Sequence, residues 1–118
     1  IGETPPGSES LLIIMEDPDA EGDNWVHWTA WDINPLITEI PEDSVPEGST
    51  EGTTSFGNIG YGGPCPHAGT HRYFFKLYAL DTRLDLPQGS SKRELLEVME
   101  GHIIEKAQVV GRYGRITL

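Results

Sequence analysis

Apolar positions fall into one unbroken run, two strand-like stretches and one helical stripe, and their order predicts the elements of the chain. Leu11-Leu12-Ile13-Ile14-Met15 is short, continuous and partly β-branched, which predicts a strand buried on both faces. It stops at Glu16-Asp17-Pro18-Asp19, where proline ends ladder pairing and forces a turn that Asp23-Asn24 prolong. Trp25 to Ile33 predicts a second strand. Simple alternation puts His27, Thr29, Trp31 and Ile33 on one of its faces and Val26, Trp28 and Ala30 on the other.

From Asn34 to about Asn58 the prolines, acids and small polar residues predict a long acidic surface loop with one short strand. Thr70 to Asp81 predicts the third clear strand, and Leu84 to Pro87 a short fourth one. Ser91-Lys92-Arg93-Glu94 fits a capping box that starts a helix. Leu96, Met99, Ile103 and Ala107 follow at helical spacing and leave Glu97, Glu100 and Lys106 to solvent. Gly101 inside that stripe weakens the helix by about 1 kcal/mol relative to Ala. Val109 to Leu118 reads as a closing segment around Gly111 and Gly114.

Composition sharpens this picture. The 118 residues make one domain, 1–118, and its 14 glycines and 9 prolines favour short strands and turns over a helical bundle. The fold class expected is therefore mainly β. A net charge of −11 argues against nucleic acid and against anionic membrane surfaces, both of which need Lys and Arg to displace counterions. The single Cys65 excludes an intramolecular disulfide. No run approaches the roughly 20 apolar residues of a membrane span, so no stable membrane insertion is expected. A cytoplasmic setting is the expectation, although a chain starting at Ile1 leaves a removed leader peptide open.

The candidate chemistry lies between Gly60 and Asp81. A Gly/Pro loop, Gly62-Gly63-Pro64-Cys65-Pro66, runs into a strand that opens His71-Arg72-Tyr73. Glycines leave backbone N–H groups approachable, prolines fix the loop, and His71 and Tyr73 share one strand face. Imidazole and phenol donors beside a nest of N–H groups suit a small oxyanion. No nucleophile stands out, so a binding pocket is expected rather than an enzyme, and no cofactor is implied.

Three motifs in order, Asp17-Pro18-Asp19-Ala20, Trp25-Val26-His27 and Gly63-Pro64 through His71-Arg72-Tyr73, resemble the phosphatidylethanolamine-binding protein family. That family includes the Raf kinase inhibitor proteins and their short bacterial and archaeal relatives. The resemblance runs from about Ser10 to Tyr113. It implies an antiparallel β-sandwich with a helix in the C-terminal half. It also implies a ligand pocket lined by Asp17, His27, Gly63, Pro64, His71 and Tyr73, with Asp19 bracing the turn. In such a pocket Asp17, itself negative, would orient a histidine or meet an ammonium group, so a zwitterion such as phosphoethanolamine would use every feature. Binding would tighten below about pH 6.5 as histidines charge.

The resemblance also implies relatives that restrain kinases or proteases and short members that often form homodimers, so such partners are expected without being specified. Two departures stand out. His67 stands where short members usually have the second proline of Cys-Pro-Pro, and family members usually carry an N-terminal strand region before the part seen here, whose absence would uncover a sheet edge.

Two rival readings rest on Cys65, His67 and His71. Their spacing, Cys-x-His-x3-His, offers ligand types that zinc accepts but matches no common zinc framework. A thiol enzyme would pair Cys65 with one of these histidines. Against it, Cys65 is wedged between Pro64 and Pro66, away from any helix N-terminus that would lower its pKa. His27 also has a plainer role, as a hydrogen-bonded histidine under an aromatic cluster formed with Trp25, Trp28 and Trp31.

Overall fold

A computed structural model describes residues 5–17, 25–36, 39–40, 48–55, 57–60, 73–111 and 116–117. The acidic stretch 41–47 and the Gly/Pro loop 61–70 lie outside the described residues.

The apolar run becomes the central strand. β1 (Ser10–Asp17) is buried at all eight positions because strands flank it on both edges and side chains cover it on both faces. Its neighbours are β2 (Trp25–Ile33) and β5 (Tyr73–Leu80), both antiparallel to it. The five-stranded sheet runs β4-β2-β1-β5-β6, with β4 (Thr50–Glu51) and β6 (Ile103–Gly111) at its edges. A second, two-stranded sheet joins β3 (Glu39–Ile40) to β7 (Ile116–Thr117). The fold is thus mainly β and antiparallel, as the sequence suggests. The long loop after Ile33 contributes two short strands, β3 and β4, where one was expected.

Each face of β1 anchors its own core. Leu11, Ile13 and Met15 pack with Trp28, Ala30, Ile33, Phe75, Leu77 and Ala79. On the other face Leu12 and Ile14 pack with Trp31, Leu80, Leu84, Leu95 and Met99. Each of these aliphatic side chains contributes about 2 kcal/mol on leaving water.

Helix α1 (Lys92–Met99) covers the second face, and both halves of the predicted capping box form. The helix ends eight residues before Ala107, the last position of the expected stripe. Gly101 has φ +85°, a left-handed conformation that suits glycine after a helix end, and His102 N–H closes the turn onto the Met99 carbonyl. Pairing with β5 then draws residues 103–111 into β6, so Ile103, Lys106 and Ala107 belong to a strand. The buried helix positions are Leu95 and Met99, and Leu96 is exposed. His102 follows the helix and sits 2.8 Å from Asp81 Oδ1 through Nδ1.

The alternation read along β2 also needs correcting. Trp28 and Ala30 lie opposite Trp31 as alternation predicts, but Ile33 joins the Trp28 face instead of that of Trp31. The cause is two β-bulges against β1, one between Met15 and Glu16 and one between Leu11 and Ile13. Each inserts a residue into β2 and shifts the parity of all that follows. At the second bulge Asp32 adopts φ +56° and its buried carboxylate accepts from the N–H groups of Leu84 (2.7 Å) and Asp85 (3.0 Å). These donors are therefore spent on Asp32, and Leu84 to Pro87 is an irregular segment rather than the expected strand.

Candidate functional site

The C-terminal end of β1 carries two adjacent buried carboxylates, Glu16 at 1% exposure and Asp17 at 2%. Successive strand residues point to opposite faces, so the two acids have separate environments. Glu16 lies on the helix-covered side, clasped by the ammonium groups of Lys76 and Lys92. Asp17 continues the opposite row, Leu11-Ile13-Met15, and pairs with Trp25 across the ladder.

His27 stands on β2 beside this end, and it is 3% exposed. Met15 pairs with Trp28 and Glu16 with Val26, so His27 is the residue that the bulge inserts. Bulges re-aim a side chain and recur next to functional sites. Tyr73 opens β5 on the other side of β1. It precedes Phe74, the partner of Glu16, so its backbone stands at the same sheet end as Asp17. Three of the six expected site positions are thus brought together on three adjacent strands. Gly63, Pro64 and His71 lie outside the described residues, as do Cys65 and His67 of the rival readings.

The structure adds residues that motif reading passes over. The Trp28 indole Nε1 donates to Glu51 Oε2 at 2.7 Å. Ser55 clamps the backbone next to His27: its hydroxyl accepts from Val26 N–H at 2.8 Å and its own N–H donates to the Val26 carbonyl at 2.9 Å. Gly52 lets this brace lie close to β2. A Cβ there would sit 2.3 Å from Thr29 Oγ1 and 2.5 Å from the Ser90 carbonyl oxygen. No sequence signal marks Glu51 or Ser55, since both fall in a polar stretch without periodicity. The close-packed glycine was visible only as one of many.

The arrangement buries an imidazole and a carboxylate on adjacent strands at one end of the sheet. Such a pair can hold a proton or donate one to a bound oxygen atom. Among the described residues, no group of three His, Cys, Asp or Glu side chains converges as a metal site would require. No helix among them is long and apolar enough to cross a membrane.

Comparison with known proteins places this geometry in context. A family model described as phosphatidylethanolamine-binding protein matches residues 1–114. A UPF0098 protein of Methanothermobacter thermautotrophicus is 47% identical over 116 residues, covering 94% of this chain and 77% of that protein. A UPF0098 protein of Pyrococcus horikoshii is also 47% identical over 116 residues, but there the chain spans 58% of the relative's length. Among solved structures, a Chlamydia trachomatis protein described as a homologue of phosphatidylethanolamine-binding protein superposes with a TM-score of 0.86 at 38% identity. That match covers 93% of this chain and 74% of the other. Escherichia coli YbcL, described as a member of the mammalian PEBP family, gives 0.78 at 31% identity with the same coverage.

Proposed function

Since the chain belongs to the phosphatidylethanolamine-binding protein family, we propose that it is a non-catalytic binding protein for a small phosphate-bearing anion or zwitterion. The proposed pocket is the sheet end that carries Asp17 on β1, His27 on β2 and Tyr73 on β5, with Gly63, Pro64 and His71 as the further lining that the family resemblance implies. One observation carries this reading: two ionisable side chains, Asp17 and His27, are each buried on adjacent strands at the same end of the sheet, and a bulge inserts the histidine there.

Burying a carboxylate and an imidazole costs stability unless each meets a partner, and the cost is tolerated where a site needs them. The imidazole donates to a phosphate oxygen, and the loop N–H groups supply further donors. Asp17 orients the imidazole and meets the ammonium of a zwitterion such as phosphoethanolamine. Regulation of a kinase or protease through the occupied pocket extends the same reading.

Calorimetric titration with phosphoethanolamine and with inorganic phosphate tests the proposal. His27→Ala should weaken both ligands by at least about tenfold, the scale of one lost charge-assisted hydrogen bond. Asp17→Asn should weaken the zwitterion more than phosphate. Equal affinity in the wild-type and His27→Ala proteins would remove this pocket from consideration.

A further inference from the structure

The chain contains three lysines, Lys76, Lys92 and Lys106, and the fold gathers all of them on the helix-covered side of β1, β5 and β6. Such clustering in a chain of net charge −11 creates one local region of positive potential. Lys76 and Lys92 share the single carboxylate of Glu16, so that trio retains one positive charge. Lys106 has no carboxylate oxygen within ion-pair distance among the described residues. Its neighbour Glu105 pairs with Ala79, which belongs to the opposite face of the sheet.

A depression of about 390 Å³ lies among Lys76, Tyr78, Lys106, Ala107 and Gln108. That volume sits near the lower end of small-molecule sites, roughly 300–1,000 Å³. The register explains the lining: Lys76 pairs with Gln108 and Tyr78 with Lys106, so four polar side chains project from one face of two adjacent strands. The Tyr78 hydroxyl, the Lys106 ammonium and the Gln108 amide make no hydrogen bond to any described residue. Burial raises the Tyr78 pKa, with Lys76 pulling it down and Glu16 adding to the rise. The phenol therefore stays a donor at neutral pH.

We propose that this depression is a second oxyanion site, separate from the Asp17–His27 pocket, that takes a compact dianion such as phosphate or a phosphorylated small molecule. Lys106 and Lys76 supply the charge, Tyr78 and Gln108 supply neutral donors, and Glu16 holds Lys76 in place from behind. The depression is built from β5 and β6, on the sheet face opposite the one Asp17 shares with Ile13 and Met15, so one site can fail without the other.

The test is an amide chemical-shift titration of the full chain with inorganic phosphate at constant ionic strength, with chloride as the control and phosphoethanolamine as a second ligand. Saturable shifts at Lys106, Ala107 and Gln108 are expected, persisting in His27→Ala and weakened at least tenfold in Lys106→Ala. Tyr78→Phe should weaken them about threefold while leaving the fold intact. Response to phosphate and to phosphoethanolamine would show that the phosphoryl group is what is read. Response to phosphate alone would restrict the site to the free ion. Shifts that do not saturate, that chloride reproduces, or that survive Lys106→Ala unchanged would overturn the proposal.

Discussion

Trp28 Nε1 and Glu51 Oε2 lie 2.7 Å apart, which ties β2 to β4 across a ladder with only two paired positions. Trp28 is 3% exposed, so an indole N–H without this acceptor is stranded away from water. Glu51→Ala should destabilise the protein by about 2 kcal/mol, within the cost of an unsatisfied buried donor. Glu51→Gln keeps an acceptor and should lose less than half as much. Urea unfolding of the two variants checks this, and equal losses would show that the hydrogen bond contributes little.

Gly52 sits where a side chain has no room. The nearest obstacles to a Cβ are a hydroxyl at 2.3 Å and a backbone carbonyl oxygen at 2.5 Å, and only the hydroxyl can rotate away. Gly52→Ala should cost about 3 kcal/mol, at the upper end of overpacking penalties. It should also reduce ligand affinity by loosening the brace beside His27. A thermal melt unchanged from wild type would contradict the close approach.

Asp32 combines a left-handed backbone with two hydrogen bonds to the segment at Leu84. Asp32→Ala loses both bonds and places a residue poorly suited to φ +56°. A loss of about 3 kcal/mol is expected by chemical denaturation. Asp32→Asn tolerates the backbone and retains one acceptor oxygen, so it should lose about 1 kcal/mol.

Glu16 is enclosed by two lysines whose side chains are 34% and 26% exposed. Glu16→Gln leaves both cations without their counter-charge. The partial exposure of the lysines limits the cost to roughly 2 kcal/mol, below the range for a fully buried pair. Adding Lys76→Met to Glu16→Gln should recover part of that loss, and a double-mutant cycle measures the coupling.

Tyr78 makes stability depend on alkaline pH. Its pKa is raised in the folded protein, first by burial, so the unfolded chain loses the phenolic proton at lower pH than the native state. Stability contributed by this group is complete below its unfolded value of 10.0 and falls as pH rises above it. Tyr78→Phe should flatten the decline in melting temperature as pH rises above about 10. Phenolate absorbance should show one late-titrating tyrosine that the variant lacks.

Much of the architecture was legible because it rests on local signals. A strand buried on both faces leaves an unbroken apolar run, and Leu11 to Met15 is one. Ser91 and Glu94 satisfy each other's backbone donors whatever the rest of the fold does. The helical stripe misled because Ile103 and Ala107 repeat by coincidence at helical spacing, and partner strand β5 decides their state. Gly101 was the better guide. The bulges in β2 could not be read, because register is a property of two strands and only one is visible in a linear pattern. Likewise Asp17 and His27 stood out within motifs, whereas Glu51 and Ser55 brace the strand that carries His27 through contacts that only folding creates.

The bulges in β2 have a consequence for how the chain tolerates change in length. Leaving out His27 would restore regular pairing between Met15–Trp28 and Glu16–Val26, and leaving out Asp32 would do the same beside Leu11 and Ile33. Both supernumerary residues are polar, and neither belongs to the repeating lattice that makes the strand. A deletion at either place would therefore preserve the sheet and erase one specialised group, whereas removing a neighbour such as Thr29 would throw the tryptophans out of phase with both cores.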